Sequence, residues 1–247
     1  MMKFLKLIQA KQENLMTEKV PTVAFIGDSV THGCFELKVG DQNRVAPIYD
    51  EENAYPNDFR KILSLLYPSV PINIIHAGIN GDGTNSGVQR LERDVLEYHP
   101  DLTIVCFGLN DVHNGKEFIP TYCKNLSIIF EKVKEAGGEV IFMTPNMMNT
   151  YVHDCITYVG RADFLNKIAE KTADFQNNGV FDAFVSSAKQ TAQEHGVPVC
   201  DVYFKWKKLF ENGVSVTQLL SNYINHPLRE LHWLFAYSLV ETLMEIQ

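Results

Sequence analysis

Five short apolar segments recur along the chain, and they restrict its fold more than any other feature of the sequence. They lie at residues 22–26, 72–75, 102–107, 139–144 and 197–202. Each is almost continuously apolar, which is typical of strands that are buried on both faces of a parallel sheet. Helical patterns separate them. This alternation predicts a three-layer, doubly wound α/β domain of the flavodoxin-like type with a five-stranded parallel sheet.

The helical patterns place apolar residues three and four positions apart, at residues 59–66, 88–96 and 126–133. A longer apolar stripe at 227–246 predicts a C-terminal helix that begins at Pro227. No internal repeat, low-complexity segment or linker divides the sequence. Residues 1–247 are therefore predicted to form a single domain, with an N-terminal extension at 1–20.

Two connections are longer than this fold requires, at residues 31–55 and 146–179. Long excursions in compact domains are usually lids or binding loops, so we interpret residues 146–179 as a lid or substrate-loop insertion. The segment carries a mixture of aromatic and polar residues, namely Tyr151, His153, Asp154 and Tyr158. A surface helix with a few aromatic residues explains the same segment equally well.

The composition argues against several classes of partner. The formal net charge is −8 and no long basic run is present, so we expect no nucleic-acid or anionic-membrane surface. The apolar runs are far too short to span a bilayer, and Lys3 and Lys6 interrupt the apolar N-terminus, which favours a cytoplasmic protein. Five widely spaced cysteines without a Cys-x-x-Cys pair predict neither disulfides nor a zinc site, and we expect no cofactor. The sequence does not define the oligomeric state.

Four polar loops either follow a predicted strand or precede the terminal helix. They are Gly27-Asp28-Ser29, residues 77–84, Gly108-Leu109-Asn110-Asp111 and Asn225-His226-Pro227. Ligands of open α/β sheets bind at the carboxyl ends of the strands, so we expect the four loops to converge there. Acyl transfer needs a nucleophile, a base and hydrogen-bond donors for an oxyanion. These loops supply a candidate for each.

Ser29 is the candidate nucleophile, because the helix that begins there offers backbone donors and a favourable dipole. His226 is the candidate base, since its near-neutral pKa suits proton transfer in both directions. The N–H groups of Ser29 and Gly81 and the amide of Asn110 are candidate oxyanion-hole donors. Ser29, Asn110 and His226 also have purely structural interpretations. The first and third loops are common turns, and a histidine before proline is a common capping residue.

In this order and strand context, the four loops resemble the SGNH/GDSL hydrolase superfamily. Its blocks are a Gly-Asp-Ser nucleophile, a glycine loop, a Gly-x-Asn-Asp loop and a C-terminal His-Pro pair. The resemblance runs from about Thr22 to the terminal helix and implies no metal. It matches the oxyanion glycine to Gly81 rather than Gly78, because Gly81 stands just before Asp82-Gly83-Thr84.

One position departs from the family pattern. Members usually carry an aspartate three residues before the histidine, where this chain has Tyr223. If the loop holds one extra residue, Asn222 takes that place. The proton on His226 Nδ1 then needs another acceptor. The candidates are the Asn222 side-chain oxygen, a backbone carbonyl and a distant carboxylate such as Asp201.

The sequence thus predicts a serine esterase that cleaves short-chain or O-acetyl esters of small molecules or carbohydrates through an acyl-Ser29 intermediate. No long apolar segment suggests a lipid interface. Two alternatives remain open at this point. The missing aspartate favours a non-catalytic binding protein on the same fold, and an acyltransferase would use the same acyl-enzyme with an alcohol as acceptor.

Overall fold

Seven strands are found in the computed structural model, which describes residues 2–39, 45–157 and 162–246. In chain order they are β1 (Thr22–Gly27), β2 (Cys34–Val39), β3 (Val45–Tyr49), β4 (Asn73–Gly78), β5 (Leu102–Cys106), β6 (Glu139–Met143) and β7 (Val199–Cys200). Five of them form a parallel sheet in the order β4-β1-β5-β6-β7, and β2 pairs with β3 in a separate antiparallel hairpin. The predicted five-stranded parallel sheet is confirmed.

Helices surround this sheet. In chain order they are α1 (Lys3–Glu13), α2 (Ser29–His32), α3 (Tyr55–Leu66), α4 (Thr84–Asp94), α5 (Ile119–Glu135), α6 (Asp154–Thr157), α7 (Ala162–Asn177), α8 (Val180–Glu194), α9 (Val202–Glu211) and α10 (Arg229–Glu245). Helix α3 packs against α10, and α5 packs against both α4 and α8. The strand side chains lie between the helices in one large apolar cluster, with every residue of β5 buried. The doubly wound α/β class predicted from the alternating pattern is therefore confirmed.

Several predicted boundaries differ from those in the structure, and two of the differences have a local cause. The fifth strand of the sheet ends at Cys200 rather than at residue 202, because the Asp201 side chain accepts a hydrogen bond from the Phe204 N–H and caps α9. The last helix begins at Arg229 instead of Pro227, since the chain at Pro227 is still extended and pairs with the preceding loop.

The two long connections contain regular structure. Residues 31–55 include the β2–β3 hairpin, and residues 146–179 include α6 and α7. His153 stacks on Tyr223 with 4.1 Å between the ring centroids, which joins the second connection to the loop before α10. Tyr158, one of the aromatic residues that suggested a lid, lies outside the described residues.

The N-terminal helix packs into the core. Phe4, Leu5 and Ile8 are buried in the main apolar cluster. The backbone N–H groups of Lys3 and Phe4 each donate to the Glu139 carboxylate at 2.8 Å. These bonds satisfy two donors at the start of α1 and join the helix to the first residue of β6. Across residues 2–39, 45–157 and 162–246, no helix is long and apolar enough to cross a membrane.

The order of the sheet reverses at β1. From β1 the chain passes to β4 on one side and then to β5 on the other. The connection after β1 leads toward β4, whereas the connection after β5 leads toward β6 on the other side. A crevice therefore opens between the carboxyl ends of β1 and β5. Ser29 comes two residues after β1 and Asn110 four residues after β5. Both therefore lie at the edge of the sheet where the fold opens.

A buried arginine ties the ends of β1 and β4 to the glycine-containing loop. Arg90 on α4 donates to the carbonyl of Gly27 at 3.0 Å and to the carbonyl of Ala77 at 2.7 Å. Its Nε lies 2.7 Å from the Asp82 carboxylate. The side chains of Arg90 and Asp82 are only 5% and 3% exposed, and Arg90 also pairs with Asp94 at 3.3 Å. The buried Asp82 carboxylate therefore depends on Arg90 for its charged partner.

We expect Arg90→Leu to lower the free energy of unfolding by about 3–5 kcal/mol, because it leaves the Asp82 carboxylate buried and unpaired. Urea denaturation followed by circular dichroism measures this loss. The matched control is Arg93→Leu on the same helix, whose side chain is 72% exposed. The control variant should unfold at nearly the wild-type urea concentration. Equal midpoints for the two variants would contradict a structural role of the buried pair.

Candidate active site

Ser29 is the first residue of α2, a four-residue helix that follows β1. Asp28 caps this helix, since its Oδ1 accepts a hydrogen bond from the Val30 N–H at 3.0 Å. The helix lies directly against β4, where a Cβ on Gly78 would come within 2.4 Å of the His32 backbone nitrogen. Gly78 thus permits the close packing that holds Ser29 at the sheet edge.

His226 is brought to Ser29 from the far end of the chain. Its Nε2 lies 3.0 Å from Ser29 Oγ, and its Nδ1 lies 2.8 Å from the carbonyl oxygen of Phe35. Because a carbonyl can only accept a hydrogen bond, we assign the proton to Nδ1, which leaves the Nε2 lone pair facing the serine hydroxyl. The pair has the geometry for proton transfer from Oγ to Nε2.

Asn222 orders the loop that carries His226, and its side-chain hydrogen bonds go to the loop backbone and to Asn225. Its Oδ1 accepts three backbone hydrogen bonds of 2.9–3.0 Å, from the three residues that end at His226. Tyr223, at the position of the family's aspartate, has a left-handed backbone with φ 56° and stacks on His153. The loop before His226 therefore supplies no carboxylate to its ring.

Asp201 is also engaged elsewhere, because it caps α9 and forms an ion pair with Lys189. The two side chains proposed from the sequence as orienters, Asn222 and Asp201, are thus corrected to the backbone carbonyl of Phe35. No sequence signal identifies this group, since every residue has a carbonyl and Phe35 stands 191 positions before His226.

Gly81 and Asn110 line the same polar pocket of about 220 Å³. Gly81 is exposed and has φ 77°, a conformation that favours glycine. Asn110 Nδ2 donates to the Asp82 carbonyl at 2.8 Å, and the Asn80 N–H donates to His32 Nδ1 at 3.1 Å. The loop after β4 is therefore joined both to the loop after β5 and to the helix that begins at the serine.

Buried carboxyl groups lie beneath this edge of the sheet. Burial raises the pKa of Asp28 to about 7, and the negative charges of Asp111 and Asp82 act in the same direction. Burial also raises the pKa of Asp111, although Thr84 donates to it through its N–H at 2.9 Å and its hydroxyl at 2.6 Å. Protonation of Asp28 reduces the negative charge next to Ser29.

Burial acts in the opposite direction on the histidine. It lowers the pKa of His226 to about 4, and the hydrogen bond to the Phe35 carbonyl offsets only part of this effect. The imidazole is therefore neutral at pH 7 and can accept a proton. In the part of the chain that the structure describes, no group of three or more His, Cys, Asp or Glu side chains is arranged to hold a metal ion.

A serine hydroxyl hydrogen-bonded to a neutral histidine, at the carboxyl edge of a doubly wound parallel sheet, is the arrangement found in serine hydrolases. The sequence also matches a family model over residues 25–234. The chain belongs to the GDSL-like lipase/acylhydrolase family. This match confirms the resemblance that the four loops suggested.

Two relatives carry esterase names. An arylesterase from Vibrio mimicus is 32% identical over 81 residues, which are 32% of this chain and 40% of the relative. An acetylxylan esterase from Geobacillus stearothermophilus is 25% identical over 130 residues, which are 49% of this chain and 58% of the relative. The similarity thus covers less than two thirds of either relative.

Solved structures share the fold over most of the chain. A catalytic mutant of an acetylxylan esterase from Geobacillus stearothermophilus has a TM-score of 0.66 at 19% identity, covering 90% of this chain and 94% of that chain. A two-domain esterase active on acetylated mannans has a TM-score of 0.66 at 17% identity, covering 98% and 52%. At these identities the likeness establishes the fold.

We expect the His226 ring to remain neutral until the pH approaches 4, because burial disfavours its charged form. NMR titration of the histidine ring signals measures this, with the His226 signals assigned by their loss in a His226→Gln variant. Circular dichroism at each pH shows whether the protein is still folded. A midpoint near the ordinary histidine value of about 6.5 would contradict the burial of this ring.

Proposed function

We propose that this chain is a serine esterase that cleaves carboxylic esters through an acyl-Ser29 intermediate. The observation that carries the proposal is the 3.0 Å contact between Ser29 Oγ and His226 Nε2, with Nδ1 held by the Phe35 carbonyl. Membership of an acylhydrolase family supports the same reaction class.

Acylation begins when Ser29 Oγ attacks the ester carbonyl carbon while His226 Nε2 takes the hydroxyl proton. The carbonyl oxygen becomes an oxyanion, which accepts hydrogen bonds from the N–H groups of Ser29 and Gly81 and from the Asn110 amide. As the tetrahedral intermediate collapses, the carbon–oxygen bond to the alcohol breaks. His226 returns the proton to the leaving alkoxide, and the acyl group stays on Ser29.

Deacylation repeats these steps with water. His226 removes a proton from water as the oxygen attacks the acyl-Ser29 carbonyl, and the same donors hold the second oxyanion. Collapse breaks the bond to Ser29 Oγ, which recovers its proton from His226. The products are a carboxylic acid and the free serine.

The Phe35 carbonyl explains how His226 can act as the base without an adjacent carboxylate. In the serine-protease example, replacing the orienting aspartate by asparagine lowers kcat about 10⁴-fold because the histidine adopts the wrong tautomer. A carbonyl accepts but cannot donate, so it selects the Nδ1–H tautomer. The Phe35 carbonyl fixes the tautomer and the orientation of the His226 ring, but it carries no net charge to stabilise the imidazolium.

For the substrate we propose short-chain esters, including O-acetyl groups on small molecules or carbohydrates. One relative is an acetylxylan esterase and another an arylesterase, and a structure of similar fold is an esterase active on acetylated mannans. All three proteins are named as esterases, and two of the names specify acetyl groups, but the alcohol differs from one name to the next. The comparison therefore supports a short acyl group more strongly than any particular leaving alcohol.

Ser29→Ala should lower turnover of p-nitrophenyl acetate by at least about 1,000-fold, because it removes the attacking oxygen. The matched control is Ser64→Ala, which removes an exposed hydroxyl on α3. A fluorophosphonate should label wild type and the control but not Ser29→Ala. Wild-type turnover in Ser29→Ala contradicts the mechanism, and absence of both turnover and labelling in wild type favours a non-catalytic binding protein.

Asn110→Ala should lower kcat by about 100- to 1,000-fold with little change in KM, since the lost donor acts mainly on the oxyanion. Steady-state kinetics with p-nitrophenyl acetate separates the two constants. Asn114→Ala serves as the control, because Asn114 lines the same pocket but is not a proposed oxyanion donor. A kcat for Asn110→Ala equal to that of the control would remove Asn110 from the oxyanion hole.

A further inference from the structure

The group that orients His226 is a backbone carbonyl, so its position depends on whatever holds the chain at Phe35. The β2–β3 ladder does not do so in a regular way, because its register shifts between Cys34 and Leu37. Such bulges release backbone groups from the ladder and redirect them. The Phe35 carbonyl is therefore directed to His226, and other contacts are needed to keep it there.

Arg229 makes these contacts from the first turn of α10, three residues after the histidine. Its guanidinium carbon lies 4.2 Å from the centroid of the Phe35 ring. Its Nη2 donates to the Glu36 carboxylate at 3.1 Å and its Nε to the Asp50 carboxylate at 2.6 Å. We name Arg229, Phe35, Glu36 and Asp50 the arginine clamp.

The clamp joins three segments of the chain. Glu36 belongs to β2 and Asp50 directly follows β3, so Arg229 holds both sides of the hairpin against α10. The Phe35 ring also contacts the His232 ring, with 4.8 Å between the centroids. Phe35 is fully buried and contacts both a guanidinium and an imidazole, which restricts the position of its side chain.

Charge and shape both make arginine suited to this position. Its hydrogen bonds lower the pKa of Glu36 and of Asp50, so both carboxyls stay charged. A planar guanidinium can bind two carboxylates and stack on a ring at the same time, which a lysine ammonium cannot do. Because the Arg229 side chain is 30% exposed, we expect its main effect on geometry rather than on stability.

We infer that Arg229 is a positioning residue for the proposed esterase reaction, on which this inference rests. By holding Phe35, it sets the carbonyl that fixes the tautomer and orientation of the His226 ring. Arg229 thus acts on the catalytic histidine through a neighbouring strand, without touching substrate.

The test compares Arg229→Gln and Arg229→Lys with the control Arg93→Gln, which removes an exposed arginine from α4. With p-nitrophenyl acetate, Arg229→Gln should lower kcat about 10- to 100-fold and leave KM almost unchanged, because a small misplacement of a reacting group has effects of this size. Arg229→Lys should lie between this variant and wild type, since it keeps the charge but loses the planar contacts. The control should retain wild-type kcat.

A spectroscopic readout separates positioning from a general structural effect. The His226 Nδ1 proton, bonded to the Phe35 carbonyl, should give a slowly exchanging downfield signal in the NMR spectrum of wild type and of Arg93→Gln. Its assignment follows from its absence in His226→Gln. In Arg229→Gln the signal should be lost or broadened while circular dichroism shows a folded protein.

The inference is overturned if Arg229→Gln retains both kcat and the signal, or if kcat falls while the signal is unchanged. Should Arg229→Gln fail to fold, the same two measurements are made on Arg229→Lys, which loses the planar contacts. Both kcat and the signal should fall in that variant, and retention of both overturns the inference. Failure of the proposed function looks different. Ser29→Ala would then retain turnover, whereas the dependence of the NMR signal on Arg229 would persist.

Discussion

The parallel pairing of β1 between β4 and β5 determines where the polar groups of the site lie. In β1 and β5 almost every residue is buried, so functional groups on these two strands become accessible only where the strands end. Ser29, Gly81 and Asn110 occupy the three loops that leave those ends. Arg90 donates to backbone carbonyls at the ends of β1 and β4 and so joins the starts of the first two loops.

Much of this arrangement can be predicted from the sequence because its signals are local. The strands are continuous apolar runs, and the candidate residues Ser29, Gly81 and Asn110 come two to four residues after the strands end. The acceptor for His226 gives no such signal, because a carbonyl is common to all residues and the β2 bulge that redirects it depends on pairing with β3. The true end of the fifth strand is hidden for a similar reason. Asp201 turns the chain into α9 through a side-chain hydrogen bond that apolar patterning does not reveal.

Two groups from different parts of the chain order His226 and the loop that carries it. Asn222 orders the backbone by accepting three N–H bonds, while Phe35 orders the ring. Tyr223 stacks on His153 and links this loop to the segment that contains α6 and α7. Tyr223, which stands at the position of the family's aspartate, thus forms part of the contact between the loop before α10 and residues 146–179.

Orientation by a backbone carbonyl also changes what mutagenesis can detect. An aspartate is removed by one codon change, but no natural amino acid at position 35 lacks the carbonyl oxygen that accepts the His226 proton. An alanine scan would score the neighbours of this group and never the group itself. Replacing the amide that links Phe35 to Glu36 with an ester does address the group, because an ester carbonyl is a poorer acceptor. The orienting group is therefore encoded by the path of the chain and is shielded from point mutation at its own position.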